Sequence, residues 1–511
     1  MSKKTRPRRR PAPDEDPGTL VERMMGALWR AVDAGDLLRA ELEAATCMAL
    51  PRVGRLDPED AQAFISKVLV DEAFRDPSPD SAAMLRLLVS LGSPATKRSA
   101  SRALADLTEG GIYPPEWVTA AGKATPVQAW RRYDVFGDDE AIAVTFRYGE
   151  AEHGVVAQVD LTGIPIVIGV AVAADGAGLI EALSSDDDPF DRVEHIGLAE
   201  ARRRLEGPLA RCDEEADPGL AVNALAYLPV ARSRVRRLPA EGAAPFPVFT
   251  AADRAAAVTD FLSSPLAAEP VAADEDATRF WAEVFTGYSS RIPGEPPGQV
   301  GPRKIAHLLL GHVPNTFSLS AAQRQHLEPA VTAWARWSAE HRGLDEAAAA
   351  RLAESLPETF GKFGPAYDDP DAVTARSYLA DLAVGDADVS QLAGHVARRM
   401  FAVPLPPSDG GAVDVGDPAV RRALTEDEFG ECTPHAGLTH EEFMAAVHRV
   451  VAELWEDDPA ETFAAARRLF ASGADRHDVI HTLAERPAAA GGQAGRAAAG
   501  GQAGRAAAGG R

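Results

Sequence analysis

The hydrophobic pattern changes period in the middle of the chain, and this change limits the fold more than any other feature. Apolar side chains alternate with polar or small ones from Ile142 to Tyr148 and again from Val155 to Leu161. A two-residue period is typical of strands that bury one face. The residues from Gly149 to Gly154 predict a turn between these strands. A continuous apolar run from Ile164 to Ala173 predicts a third strand that is buried on both faces.

Further elements follow these strands within a predicted domain at residues 126–228. We expect a helix near residues 178–184, a fourth strand at Arg192–Ile196 and a helix from Leu198 to Cys212. Strands that come first and helices that come after them favour an α+β domain. The sequence therefore predicts an antiparallel sheet that helices cover on one side.

Helical spacing dominates the chain on both sides of this domain. Apolar residues recur every three to four positions, as at Leu20, Met24, Leu28 and Val32. The other predicted parts are a helical domain at 19–125, an irregular helical connector at 229–300, a helical domain at 301–405 and a C-terminal helical unit at 406–487. The predicted fold class is therefore α+β, mainly helical and multidomain, with one central antiparallel-sheet domain flanked by helical domains.

Three stretches lack a hydrophobic period. Residues 111–135 are rich in proline and predict an extended linker that packs Trp117 and Trp130 onto the next domain. Residues 1–18 mix basic residues, acids and prolines, and residues 488–511 repeat alanine and glycine. We expect both tails to be disordered.

The composition narrows the choice of partner and compartment. A formal net charge of −23 argues against nucleic acid, because an acidic surface repels phosphate. The basic stretch Lys3–Arg10 leaves DNA binding by the tail as a separate hypothesis. Cys47, Cys212 and Cys432 are odd in number and far apart, which favours a reducing cytosol over a disulfide framework. Without a long apolar run or a secretory signal, we expect a cytoplasmic protein, not a membrane protein, whose partner is a protein.

A histidine pair near the C-terminus is the strongest candidate site. His477 and His481 are four residues apart, so they share one face of a helix that Asp475 caps. The positive helix start disfavours protonation of His477, and a neutral imidazole is the form that binds a metal. His448, on a preceding helix, completes a predicted site for a divalent transition metal such as zinc.

Two other interpretations of these histidines stay open. The pattern His477-Asp478-x-x-His481 is similar to the zincin pattern H-E-x-x-H, in which the acid is a general base, although aspartate is one methylene shorter. In the structural interpretation, the histidines hydrogen-bond helix ends and nearby acids and bind no metal. One pair at this spacing among twelve histidines is also expected by chance.

Three weaker candidates lie in the central part of the chain. Asp160, at a strand end, resembles the Mg²⁺-binding acid of actin-like ATPases and RNase H-like nucleases, or it caps a turn. The acidic loop Ser184–Asp188 could hold a cation, but it lacks the ligand spacing of an EF-hand and favours an exposed loop. The arginine-rich stretch Arg232–Arg237 favours a salt-bridged face, with an acidic partner or phosphate as the alternative.

Several segments resemble modules of uncharacterised actinobacterial proteins. These segments are Trp130–Glu140 with the strands after it, Pro302–Gly343, and the C-terminal unit with Leu454–Pro459 and Arg476–His481. In the first module the second strand ends in an aspartate, which is Asp160 here. Relatives of the C-terminal unit also carry His-x-x-x-His on its first helix; Met444 holds the earlier position here, so only His448 fits. The resemblance implies domain boundaries and no activity.

The motifs of several common enzyme classes are missing from the chain. It contains no G-x-S-x-G, no Walker P-loop, no G-x-G-x-x-G after a strand and no C-x-x-C. We therefore predict a non-catalytic interaction or regulatory protein. The alternative is a metal-binding protein or metal-dependent enzyme centred on His448, His477 and His481.

Overall fold

The computed structural model describes most of the chain between residues 17 and 485. The described ranges are 17–53, 58–184, 188–214, 226–383, 398–403, 414–433, 437–456, 458–471 and 475–485. They group into two compact units. The first contains the described residues up to Gly311 together with Leu319–Phe363, and the second contains His312–Ser318 together with those from Gly364 onward. The two tails predicted to be disordered lie outside these ranges, except for residues 17 and 18, which begin the first helix.

Five helices form one layer of the first unit. They are α1 Pro17–Asp33, α2 Leu37–Val53, α3 Pro58–Arg75, α4 Pro79–Leu91 and α5 Pro94–Glu109. Their buried side chains share one hydrophobic core, which includes Leu28, Val32, Met84 and Leu88. Ser78 and Ser93 cap α4 and α5 by accepting hydrogen bonds from the backbone of the third residue of each helix, and a proline follows each cap. The prediction of helices in this part of the chain is confirmed.

The predicted linker at residues 111–135 is wrong. After a short 3₁₀ turn at Glu116–Ala120, the chain enters strand β1, Thr125–Asp134. Trp117 packs back against the helical layer, and only Trp130 packs on the sheet. The side chains of β1 do not alternate clearly in polarity, so the strand has no visible two-residue period.

The sheet of the first unit is antiparallel throughout, as predicted. Its strands are β1, β2 Asp139–Tyr148, β3 Ala151–Asp160, β4 Ile166–Ala173 and β5 Asp191–Ile196. They lie in the order β4-β3-β2-β1-β5. β2 is central and almost fully buried. β4 lies at an edge and pairs with β3 alone, so the prediction that this strand is buried on both faces is wrong.

Helices cover both faces of this sheet. α7 Leu198–Glu214 and α8 Leu228–Val235 pack against the face that carries Ile142, Val144 and Phe146. α6 Gly176–Ser184 packs on the opposite face, over Ala141 and Ala143. The sequence predicted helices on one side of the sheet, and α6 covers the other side as well. The small side chains at 141 and 143 leave room for α6, although they contribute little to the hydrophobic pattern.

The remaining helices of the first unit surround an aromatic cluster. They are α9 Ala251–Leu262, α10 Ala268–Ala273, α11 Glu275–Ser289, α12 Pro302–His307, α14 Ala321–Gln325, α15 Leu327–His341 and the first part of α16 Glu346–Tyr367. Helix α13 Val313–Thr316 comes between α12 and α14 in the chain and belongs to the second unit. Trp334 stacks on Phe285 and meets Phe261 edge-on, at ring-centroid distances of 5.7 and 4.8 Å. The predicted connector at 229–300 therefore packs with the predicted domain at 301–405, and the boundary at 300 does not separate them.

The second unit is helical over its described residues. It contains α13, the end of α16, α17 Pro370–Ala383, α18 Pro418–Phe429, α19 His440–Glu456, α20 Ala460–Ala471 and α21 Arg476–Ala484. Phe429, Phe443, Leu454 and Ile480 are fully buried in its core. The last three helices lie within the unit at 406–487 that the sequence predicts to be helical. In the described part of the chain, no helix has the length and apolar character needed to cross a membrane.

Candidate functional site

Helix α21 places His477 and His481 on one face, as the sequence predicts. Asp475 is the N-cap, and its Oδ1 accepts a hydrogen bond of 2.7 Å from the backbone N–H of Asp478. Asp478 therefore lies in the first turn of the helix. The ring centroids of the two histidines are 6.3 Å apart.

His477 lies between a thiol and a carboxylate. Its Nε2 is 3.4 Å from Cys432 Sγ, and its Nδ1 is 3.4 Å from Glu428 Oε1. The ring of Phe429 stacks on the imidazole with a centroid distance of 4.4 Å and an angle of 9° between the planes. Three side chains that can exchange a proton are thus in line, from Cys432 through His477 to Glu428.

Arg476, on the same helix as His477, holds the carboxylate of Glu428 in place. Arg476 NH1 donates to both carboxylate oxygens of Glu428, at 2.5 and 2.7 Å. The same guanidinium also donates to the carbonyl oxygens of Phe401 and Ala402. These bonds hold the carboxylate beside His477 and orient the imidazole towards the sulfur atom.

No spacing pattern in the sequence points to the thiol or the carboxylate. Glu428 lies in the last turn of α18, and Cys432 follows that helix, 45 residues before His477. Three residues from such distant segments obey no spacing rule. A cysteine close behind an acid-rich helix is the one local feature that could have attracted attention.

The environment of Cys432 does not favour a free thiolate. Partial burial and the nearby negative charge of Glu428 raise the pKa of Cys432. Deprotonation at neutral pH therefore depends on a proton acceptor, and His477 Nε2 is in contact. The imidazolium that would form is stabilised by Glu428.

The three histidines of the predicted metal site have separate partners. His481 Nδ1 lies 3.5 Å from Glu485 Oε1, and its ring packs against Phe443. His448 Nε2 lies 3.8 Å from Glu426 Oε1, and burial together with Arg422 lowers the pKa of His448. Within the described ranges, no three His, Cys, Asp or Glu side chains form a group that could hold a metal ion. The zinc site of His448, His477 and His481 stays a prediction.

The weaker candidates have structural contacts. Asp160 accepts a hydrogen bond of 2.8 Å from Thr162 N, which fits the predicted turn cap, and it also pairs with Arg303. Arg234, from the arginine-rich stretch, points inward to a buried ion pair with Glu41 instead of forming a surface face. The central residues of the acidic loop Ser184–Asp188 lie outside the described part of the chain.

No family model, curated protein or solved structure matches the chain. The resemblance to actinobacterial modules stays a prediction. The contacts of the residues themselves are therefore the basis for any functional conclusion.

Proposed function

We propose that the protein is a non-catalytic regulatory protein whose second unit responds to thiol-reactive compounds through Cys432. The observation that carries this proposal is the contact of 3.4 Å between Cys432 Sγ and His477 Nε2, with Glu428 at 3.4 Å on the other side of the ring. A thiol, a base and an acid that orients the base are the parts that an activated cysteine needs.

The reaction is a stoichiometric exchange with a small disulfide. Cys432 gives its proton to His477 Nε2, and the thiolate attacks one sulfur atom of the disulfide. A mixed disulfide forms between Cys432 and one half of the reagent. The other half leaves as a thiolate and takes the proton from the His477 imidazolium. Glu428 stabilises the imidazolium between the two steps.

An adduct at this position would change the packing of the second unit. Cys432 contacts His477 in the first turn of α21, and Phe429 stacks on the same imidazole. A bulky group on the sulfur atom would compete with these contacts. The start of α21 would then loosen, and a surface that a protein partner recognises would change with it.

Alkylation of the native protein tests the proposal. The rate at which iodoacetamide modifies each cysteine is measured by mass spectrometry. Cys47 and Cys212 are internal controls because only 2% and 3% of their surfaces are exposed. Cys432 should react first, and His477→Asn should slow its reaction by about tenfold, since general-base assistance is lost.

His481→Asn is the matched control, because His481 lies one turn further along α21, close to Glu485 and packed against Phe443. It should leave the rate within about twofold of the wild type. Equal rates for His477→Asn and the wild type would contradict the proposal. The alternative metal function predicts stoichiometric zinc that disappears in the variant His477→Ala with His481→Ala and protects Cys432 from alkylation.

A further inference from the structure

A cavity of about 340 Å³ lies in the first unit. Strands β1 and β2 and helix α7 form one side of it, and the irregular segments 244–247 and 292–299 form the other. This volume is within the range of sites that bind small molecules. Five charged side chains line it, which are Arg131, Arg203, Arg204, Glu140 and Glu295.

Two of the three arginines have short hydrogen bonds to acidic partners. Glu140 Oε2 accepts hydrogen bonds from Arg131 Nε at 2.7 Å and from Arg204 NH1 at 2.9 Å. Arg131 also binds Glu194, and Arg204 also binds Glu200. These two guanidinium groups form the charged wall of the cavity, and their positions are fixed by their partners.

Arg203 is the third arginine and is poorly satisfied. It donates a weak hydrogen bond of 3.4 Å to Glu200, and its buried Nε has no hydrogen-bond partner among the described residues. A guanidinium has five N–H donors, so most of its capacity is unused. The charge of Arg204 and burial lower the pKa of Arg203, burial having the larger effect. An anion at this wall would offset the positive charge of Arg204 and accept from the unpartnered Nε of Arg203.

The opposite wall is largely apolar. The ring of Phe246 packs on the guanidinium of Arg203, with 3.8 Å between its centroid and Cζ, and four prolines belong to the same wall, namely Pro245, Pro247, Pro293 and Pro296. Prolines have no N–H group and offer a rigid apolar surface. The apolar body of a ligand would pack against these prolines, while its polar groups would reach the N–H edge of Arg203.

Glu295 adds a requirement on the ligand. This residue is 94% buried, with a relative exposure of 6%, and its Oε1 has no hydrogen-bond partner within the described ranges. Its Oε2 binds Lys304 Nζ at 2.5 Å. A hydroxyl or amide of a ligand could donate to Oε1 after a small movement of the side chain. An ammonium group would instead approach the positive charge of Lys304.

We infer that this cavity binds a small monocarboxylate with an apolar body and a neutral hydrogen-bond donor, such as an aromatic 2-hydroxy acid. The carboxylate would contact Arg203, and the hydroxyl would face Glu295. The buried Nε of Arg203 has no partner among the described residues, so it can donate to one carboxylate. A second carboxylate would meet Glu140 and the acidic protein around it.

Calorimetric titration of the full-length protein with four matched probes tests this inference. The probes are 3-phenyllactate, 3-phenylpropionate, phenylalanine and 3-phenyllactamide, which share one skeleton. 3-Phenyllactate should bind with a Kd of about 1 mM or below. Loss of the hydroxyl, replacement by an ammonium group or neutralisation of the carboxylate should each weaken binding by about tenfold.

Substitution of Arg203 is the second part of the test. Arg203→Gln should weaken binding of 3-phenyllactate about tenfold, and Arg203→Lys, which keeps the charge, should weaken it less. Arg202→Gln is the matched control, since Arg202 precedes Arg203 on α7 but binds Glu206 and the carbonyl of Leu238. The inference is overturned if 3-phenyllactate does not saturate up to about 10 mM, if phenylalanine or the amide binds equally well, or if both Arg203 variants bind as the wild type does.

Discussion

Arg234 and Glu41 form a fully buried ion pair, in which Arg234 NH2 lies 2.5 Å from Glu41 Oε2. Tyr148 OH and the backbone N–H of Gly122 donate to Glu41 Oε1, at 2.9 and 3.1 Å. Arg234 Nε donates to His153 Nε2 at 2.9 Å. Helix α2, helix α8 and the sheet thus meet at one polar cluster. Because both charges are well hydrogen-bonded, the cost of removing them from water is offset.

Removing one partner of this pair should destabilise the first unit strongly. Arg234→Met leaves the carboxylate of Glu41 buried without its counter-charge, and we expect the free energy of unfolding to fall by about 3–5 kcal/mol. Urea denaturation measures the change. The double variant with Glu41→Leu should recover part of the loss. If Arg234→Met costs less than about 1 kcal/mol, the ion pair does not have this role.

His153 should make the protein less stable in mild acid. Burial and the charge of Arg234 lower the pKa of His153 to about 3, so the folded state holds a neutral imidazole. In the unfolded chain a histidine takes up a proton below pH 6.5. Its contribution to stability is therefore complete above pH 6.5 and decreases by about 2 kcal/mol by pH 5. His153→Gln should remove this decrease in urea denaturation, while His440→Gln, at an exposed position, should retain it.

Glu295 should have the opposite pH dependence. Burial outweighs the attraction of Lys304 and raises the pKa of Glu295 to about 7. The folded state therefore keeps a proton that the unfolded chain loses above its usual carboxyl pKa. This contribution is complete below about pH 4.5 and is lost as the pH rises to about 7, by up to about 3 kcal/mol.

Glu295→Gln isolates this contribution. Because glutamine is close in shape to the protonated acid, the variant should be about as stable as the wild type near pH 5, and its stability should rise more steeply between pH 5 and pH 7 than that of the wild type. The slope of the unfolding free energy against pH is the quantity to compare. An unchanged slope would show that Glu295 is ionised throughout this range.

The cap of α21 should stabilise the second unit by a modest amount. Asp475→Ala removes the acceptor for the backbone N–H of Asp478, and we expect a loss of about 1 kcal/mol. Asp475→Ser keeps a capping oxygen and should restore most of the stability. Thermal denaturation of the two variants makes the comparison. An equal loss in both would assign the effect to the negative charge at the helix start, not to the hydrogen bond.

The sequence allowed those elements to be predicted whose side chains repeat with a clear period. β2, β3 and α7 follow this rule, as do the three last helices. β1 does not, because Arg131 and Arg132 stand where a regular strand would alternate. Their partners, Glu140 and Asp191, come from the neighbouring strands and are invisible in the local pattern.

One of the three residues of the candidate site could be found in the same way. The helical spacing and the cap place His477 correctly, but its two partners depend on how α18 packs in the second unit. The cavity of the first unit is harder still, since its charges come from β1, β2, α7 and an irregular segment near Glu295. Sequence spacing constrains neighbours on one helix, and it says little about side chains from separate elements.

The buried pair of Glu41 and Arg234 also has a consequence for synthesis on the ribosome. The two residues are 193 positions apart, so Glu41 leaves the ribosome about 10 to 40 s before its partner at ordinary elongation rates. During this interval the helices around Glu41 would have to bury its carboxylate without the positive charge of Arg234. We therefore expect the N-terminal layer to reach its final packing only after the sheet and α8 have emerged, so that the first part of the chain to be made is among the last to be completed.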